Sequence, residues 1–157
     1  MKFKGKTIIF ALVPVAGVVA LVLALSTGAV SVSASSAQSG SLHVTKECSE
    51  FTGNPGTFCT ITSSNLSAIK VGARVYYDQA PGIPAGMLDS NVVLSVGTGD
   101  WATGRCTLDG STALGLCQFT DGVGELAGFH ARVNVSPTGG PNFGWEGRYS
   151  FTPEVDR

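Results

Sequence analysis

The chain predicts an all-β fold, an eight-stranded antiparallel up-and-down β-barrel, and three observations point to it. Segments of period-two alternation or of β-branched and aromatic residues recur after residue 41, and no long helical periodicity interrupts them. The connections between them are short and rich in Gly, Pro, Asn and Asp, which makes successive strands antiparallel neighbours. The four cysteines form two equal pairs, Cys48 with Cys59 and Cys106 with Cys117, each enclosing ten residues with turn chemistry near the middle: Asn54-Pro55-Gly56 in one, Asp109-Gly110 in the other.

Ahead of the strands, Lys2, Lys4 and Lys6 precede an apolar run from Ile8 to Leu25, and small residues continue to Ala34. This is the layout of a secretory signal over residues 1–34, with Ala34 or Ala37 at the cleavage site. An uncleaved anchor is the competing reading, which Pro14, Gly17 and the small-residue tail weigh against. The Ser-rich stretch 35–41 reads as a flexible leader, and 42–157 as one domain, since about 120 residues support a single core. Strands are predicted over 42–48, 57–62, 71–79, 90–96, 102–108, 114–120, 128–136 and 144–152, with at most one helical turn in the connector 63–69. The absence of long crossovers favours a barrel over a sandwich, and closure removes exposed edges.

Secretion places the cysteines in an oxidising compartment, so they read as disulfides rather than metal thiolates, and there is no Cys-x-x-Cys. Three pairings are formally open. The hairpin chemistry of the two enclosed stretches selects 48–59 and 106–117, each worth on the order of 3 kcal/mol in the chain-entropy model. Three of the ten Lys and Arg lie in the signal while all eleven Asp and Glu remain, so the mature chain is acidic. Nucleic acid and anionic membrane surfaces, which require a basic footprint, are therefore not expected partners.

Alternation sorts the strands into faces. Val71, Ala73, Val75 and Tyr77 oppose Arg74, Tyr76 and Asp78; Phe129, Ala131, Val133 and Val135 oppose His130 and Arg132; Trp145, Tyr149 and Phe151 oppose Glu146 and Arg148. On one account the polar face meets water and its charges pair across strands. On the other it lines the lumen. There Asp78 or Glu146 would be the general acid or base, and Arg74, Arg132 or Arg148 would stabilise developing negative charge; Tyr76 and Tyr77, on opposite faces, can donate a hydrogen bond to a ligand on either account. His43 and His130 stand far apart with no partner histidine at ligand spacing, so no metal is expected. No Gly-x-Ser-x-Gly elbow is present.

The stretch Asp121-Gly122-Val123-Gly124-Glu125-Leu126-Ala127-Gly128-Phe129, followed by Gly147-Arg148-Tyr149-Ser150-Phe151, resembles the glycine-rich turn and closing strand of the allene oxide cyclase-like and dirigent-like barrels of secreted bacterial proteins. Val75-Tyr76-Tyr77-Asp78 and Leu88 to Leu94 fit the early hairpin of the same barrel. The resemblance implies an eight-stranded barrel, commonly trimeric, that holds a hydrophobic small molecule without metal or organic cofactor. It implies as activity a cofactor-independent isomerisation or cyclisation. The alternatives are a non-catalytic carrier and a structural, cell-surface interaction protein with a filled barrel.

Overall fold

Alternating apolar residues with two-residue spacing can bury one face of a strand and leave the other in water. Eight stretches of the chain do so. The computed structural model describes residues 38–82 and 85–152; the signal assigned to 1–34 and the start of the leader lie outside them. The strands are β1 (Ser39–Glu47), β2 (Phe58–Ser64), β3 (Arg74–Tyr77), β4 (Met87–Gly97), β5 (Asp100–Asp109), β6 (Gly115–Val123), β7 (Phe129–Gly139) and β8 (Asn142–Phe151). They pair in chain order, and β8 returns to β1, closing an antiparallel barrel.

The lumen is filled. Leu42 and Val44 from β1, Ile61 from β2, Val75 from β3, Val92 and Leu94 from β4, Phe119 from β6, Phe129 and Val133 from β7 and Trp145 from β8 are all buried in one cluster. The Phe119 ring lies between those of Trp145 and Phe129, at centroid distances of 5.4 and 6.1 Å. One mouth is plugged by Leu66 and Ile69 of the connector between β2 and β3 and by Leu126 of a 3₁₀ turn, Gly124–Leu126. The connector holds no helix; its chain reversal begins where Ser64 Oγ accepts a hydrogen bond from the Leu66 amide.

Both disulfides have the expected pairing, Cys48–Cys59 and Cys106–Cys117. Cys106 and Cys117 stand directly opposite each other on β5 and β6, with both sulfurs in the core, and Cys48 fastens the end of β1 to β2. Two expectations are corrected. Ser39, Gly40 and Ser41 do not belong to a flexible leader: they pair with Ser150, Tyr149 and Arg148 of β8 and supply part of the seam that closes the barrel. The third strand is also shorter than alternation suggests, because the chain turns at Val71 and Gly72 and leaves Val71 70 % exposed.

Gly104 shows how the large rings fit. It faces Phe119 across β5 and β6, and a methyl there would overlap the Gln118 carbonyl and come within 2.8 Å of the Phe119 ring. Gly104→Ala is expected to cost about 1–3 kcal/mol through overpacking. A urea melt showing an unchanged midpoint would contradict this.

Candidate functional site

Leu42, Val44 and Lys46 lie on the inward side of β1, so the alternation that builds the core also delivers an amine into it. Lys46 is 3 % exposed. Its Nζ donates to the Tyr77 hydroxyl at 2.5 Å, and among the described residues no carboxylate pairs with it. Three aromatic faces surround the nitrogen, with ring centroids at 4.8 Å (Trp145), 5.3 Å (Tyr77) and 5.8 Å (Phe143). Ring faces attract an ammonium but do not replace its hydration. Burial accordingly lowers the Lys46 pKa from 10.5 to about 7, and the same desolvation pushes the Tyr77 phenol well above its ordinary value. Near neutral pH the site therefore holds an amine that is substantially uncharged beside a phenol that keeps its proton.

The pair adjoins a small, partly open cavity of about 60 Å³, whose walls are Cys48, Phe51, Cys59, Leu88, Leu108, Val135 and Phe143 together with Lys46 and Tyr77. Apart from the amine and the phenol the lining is apolar. Phe51, from the loop joining β1 to β2, covers Tyr77 at a centroid distance of 4.7 Å. That loop is held at three places: by the Cys48–Cys59 disulfide, by the Gly56 amide donating to the Tyr77 carbonyl (2.7 Å), and by the Tyr77 amide donating to the Thr57 carbonyl (3.1 Å).

Of the residues nominated from the sequence for catalysis or ligand binding, only Tyr77 points into the barrel. Arg74, Arg132, Glu146 and Arg148 are exposed on the outer wall and Tyr76 is half-buried there, so the account that placed this polar face in the lumen is corrected. The reason is volume: the opposite face carries Trp145, Phe129, Val133 and Val75, which fill the interior. Glu146 is hydrogen-bonded through Oε2 to His43 Nδ1 across β8 and β1. Arg74 lies over the Phe58 ring at 4.5 Å. Asp78 closes the exit of β3, accepting from Ser90 Oγ at 3.0 Å and Asn91 Nδ2 at 2.9 Å. Arg132 and Arg148 face each other directly across β7 and β8, beside an open outer concavity of about 530 Å³ that also touches Gln118 and His130.

No protein-family model, curated protein or solved structure matches this chain. The outer concavities are larger than the inner cavity but open broadly to solvent, where charge–ligand contacts are screened. The buried amine is the stronger candidate because little solvent reaches it. Sequence reasoning named Tyr77 and missed Lys46. The signal was present: in a strand running Leu42, Val44, Lys46, a lysine falls on the apolar face.

Proposed function

We propose that the protein is a secreted barrel, of the allene oxide cyclase-like or dirigent-like kind, that binds a small hydrophobic molecule at the end covered by Phe51. The ligand's hydrogen-bonding group sits against Lys46 and Tyr77. The observation that carries this reading is the lone buried amine beside an apolar cavity. Burying a lysine without a counter-ion opposes stability, and an aliphatic side chain would fill the same space without that cost. Strongly shifted groups facing a cavity are the usual mark of a binding or reacting site. Neutral Lys46 is also the one interior base among the described residues, which is what a cofactor-independent isomerisation requires. The outer-wall residues, including Arg132 and Tyr76, then serve solubility and strand pairing rather than the ligand.

A cavity of about 60 Å³ accepts a molecule of only a few heavy atoms. Larger ligands require Phe51 to swing outward. Binding of a graded series of cyclic ketones, followed through the NMR signals of Tyr77 and Lys46, is expected to saturate for the smallest members, and Phe51→Ala is expected to admit larger ones. Absence of any saturable shift in both proteins would contradict the reading. The filled lumen supports a second reading, a structural or surface-interaction barrel without ligand. Native mass spectrometry of the mature protein separates the two: a retained small-molecule adduct supports the first, and the same spectrum reports whether the trimer implied by the resemblance forms.

A further inference from the structure

We propose that Lys46 is a covalent carbonyl-capture site: its amine condenses reversibly with small apolar aldehydes in the cavity beneath Phe51 to form an imine. This rests on reading that end of the barrel as a ligand site, and it names the ligand class.

Three features of the site combine. The nucleophile is a buried amine whose only hydrogen-bond partner among the described residues is a phenol, with no carboxylate among them to hold it as an ammonium. The adjoining cavity is walled by Phe51, Leu88, Leu108, Val135 and Phe143, which suits an alkyl chain and excludes sugars and charged carbonyl compounds. The Tyr77 O–H stands beside the nitrogen, and so beside any carbonyl oxygen that the nitrogen attacks, and burial keeps its proton in place. The lone pair of the neutral amine forms the C–N bond while the carbonyl π pair moves to oxygen. That oxygen takes a proton from Tyr77, and the phenolate recovers one from the nitrogen, giving a neutral carbinolamine. Tyr77 then gives its proton to the hydroxyl group, which departs as water, and the phenolate takes the remaining N–H proton, leaving the imine and a restored phenol. No oxidant or metal enters the balance.

The chain supplies its own control. The described residues contain two lysines, Lys46 and Lys70. Lys70 is exposed and ion-paired with Glu125 at 2.7 Å, an interaction that raises its pKa, so it remains protonated where Lys46 does not.

The test treats the mature protein at pH 7 with propanal and cyanoborohydride, which reduces an imine to a stable propylamine, and locates the product by peptide mass spectrometry. Lys46 is expected to be labelled roughly tenfold or more faster than Lys70, as its larger uncharged fraction dictates. Lys46→Arg should abolish this label and leave the amino-terminal label unchanged, Lys70→Arg should leave Lys46 labelling unchanged, and Tyr77→Phe should slow it. Labelling confined to Lys70 and the amino terminus would overturn the proposal. A parallel NMR titration with propanol, which cannot form an imine, separates the two failures. Saturable shifts at Lys46 and Tyr77 without labelling would overturn only the covalent step, whereas neither shifts nor labelling would overturn the ligand site as well.

Discussion

Lys46→Met is expected to stabilise the barrel by about 3 kcal/mol at pH 6 and to change its stability by less than about 1 kcal/mol at pH 10. The amine is depressed in the folded chain from 10.5 to about 7. Below pH 7 both states carry the ammonium, and the folded state bears the whole cost of holding it out of water, on the order of 5 kcal/mol for this shift. Between pH 7 and 10.5 the unfolded chain binds a proton that the native chain does not, so stability rises with pH across that window. Above pH 10 Tyr77 reverses the trend, since the unfolded phenol ionises while the buried one holds its proton. Methionine has similar volume and no charge, but leaves the Tyr77 hydroxyl without its partner, which takes back about 1–2 kcal/mol. Asp89 and Asp109, held below the usual carboxylate range by Arg105 and Ser111 respectively, affect stability only in acid and do not overlap this window. Urea melts of the wild type and the variant from pH 6 to pH 10 check the effect. Parallel curves would contradict it.

Removing the two disulfides separately is expected to have unequal structural and functional consequences. Cys106 and Cys117 are both buried and tie two adjacent strands inside the core. Replacing the pair with alanine relaxes a short loop in the unfolded chain and leaves a void where the sulfurs were, for a combined loss on the order of 4 kcal/mol. Cys48 is only partly buried, so Cys48→Ala with Cys59→Ala should cost less, on the order of 3 kcal/mol. This second pair, however, anchors the loop that carries Phe51 over Tyr77. Its removal should expose Lys46 to water and bring its pKa back toward 10.5, whereas loss of Cys106–Cys117 should leave that pKa near its wild-type value. Denaturant melts combined with lysine titration distinguish the two. Equal effects on the amine would contradict the assignment of the loop as its cover.

The fold was legible because its determinants are local. Alternation in Phe129 to Val135 and in Trp145 to Phe151 sets the inward face directly, and Asn54-Pro55-Gly56 and Asp109-Gly110 mark turns that bring each cysteine pair together. The start of β1 was not legible. Ser39-Gly40-Ser41 has the composition of a linker, and only pairing with β8, more than one hundred residues away, makes it a strand. The site was legible in half. Tyr77 stood out in an aromatic pair, but polar groups were sought together on one face, whereas the structure carries its reactive group as an exception on the apolar face. A single lysine among Leu42, Val44 and Trp145 carries no motif; its meaning comes from the rings that surround it and the carboxylates that do not.

Because Lys46 and Lys70 are the lysines of the described barrel, their side-chain Cε signals can be followed by NMR in protein labelled with ¹³C-lysine, and Lys46→Arg assigns them. Titration from pH 5 to pH 11 is expected to give a midpoint near 7 for Lys46 and one above 10.5 for Lys70. A Lys46 midpoint at or above 10.5 would mean that the amine stays charged in the fold, and both the ligand site and its carbonyl chemistry would be lost with it.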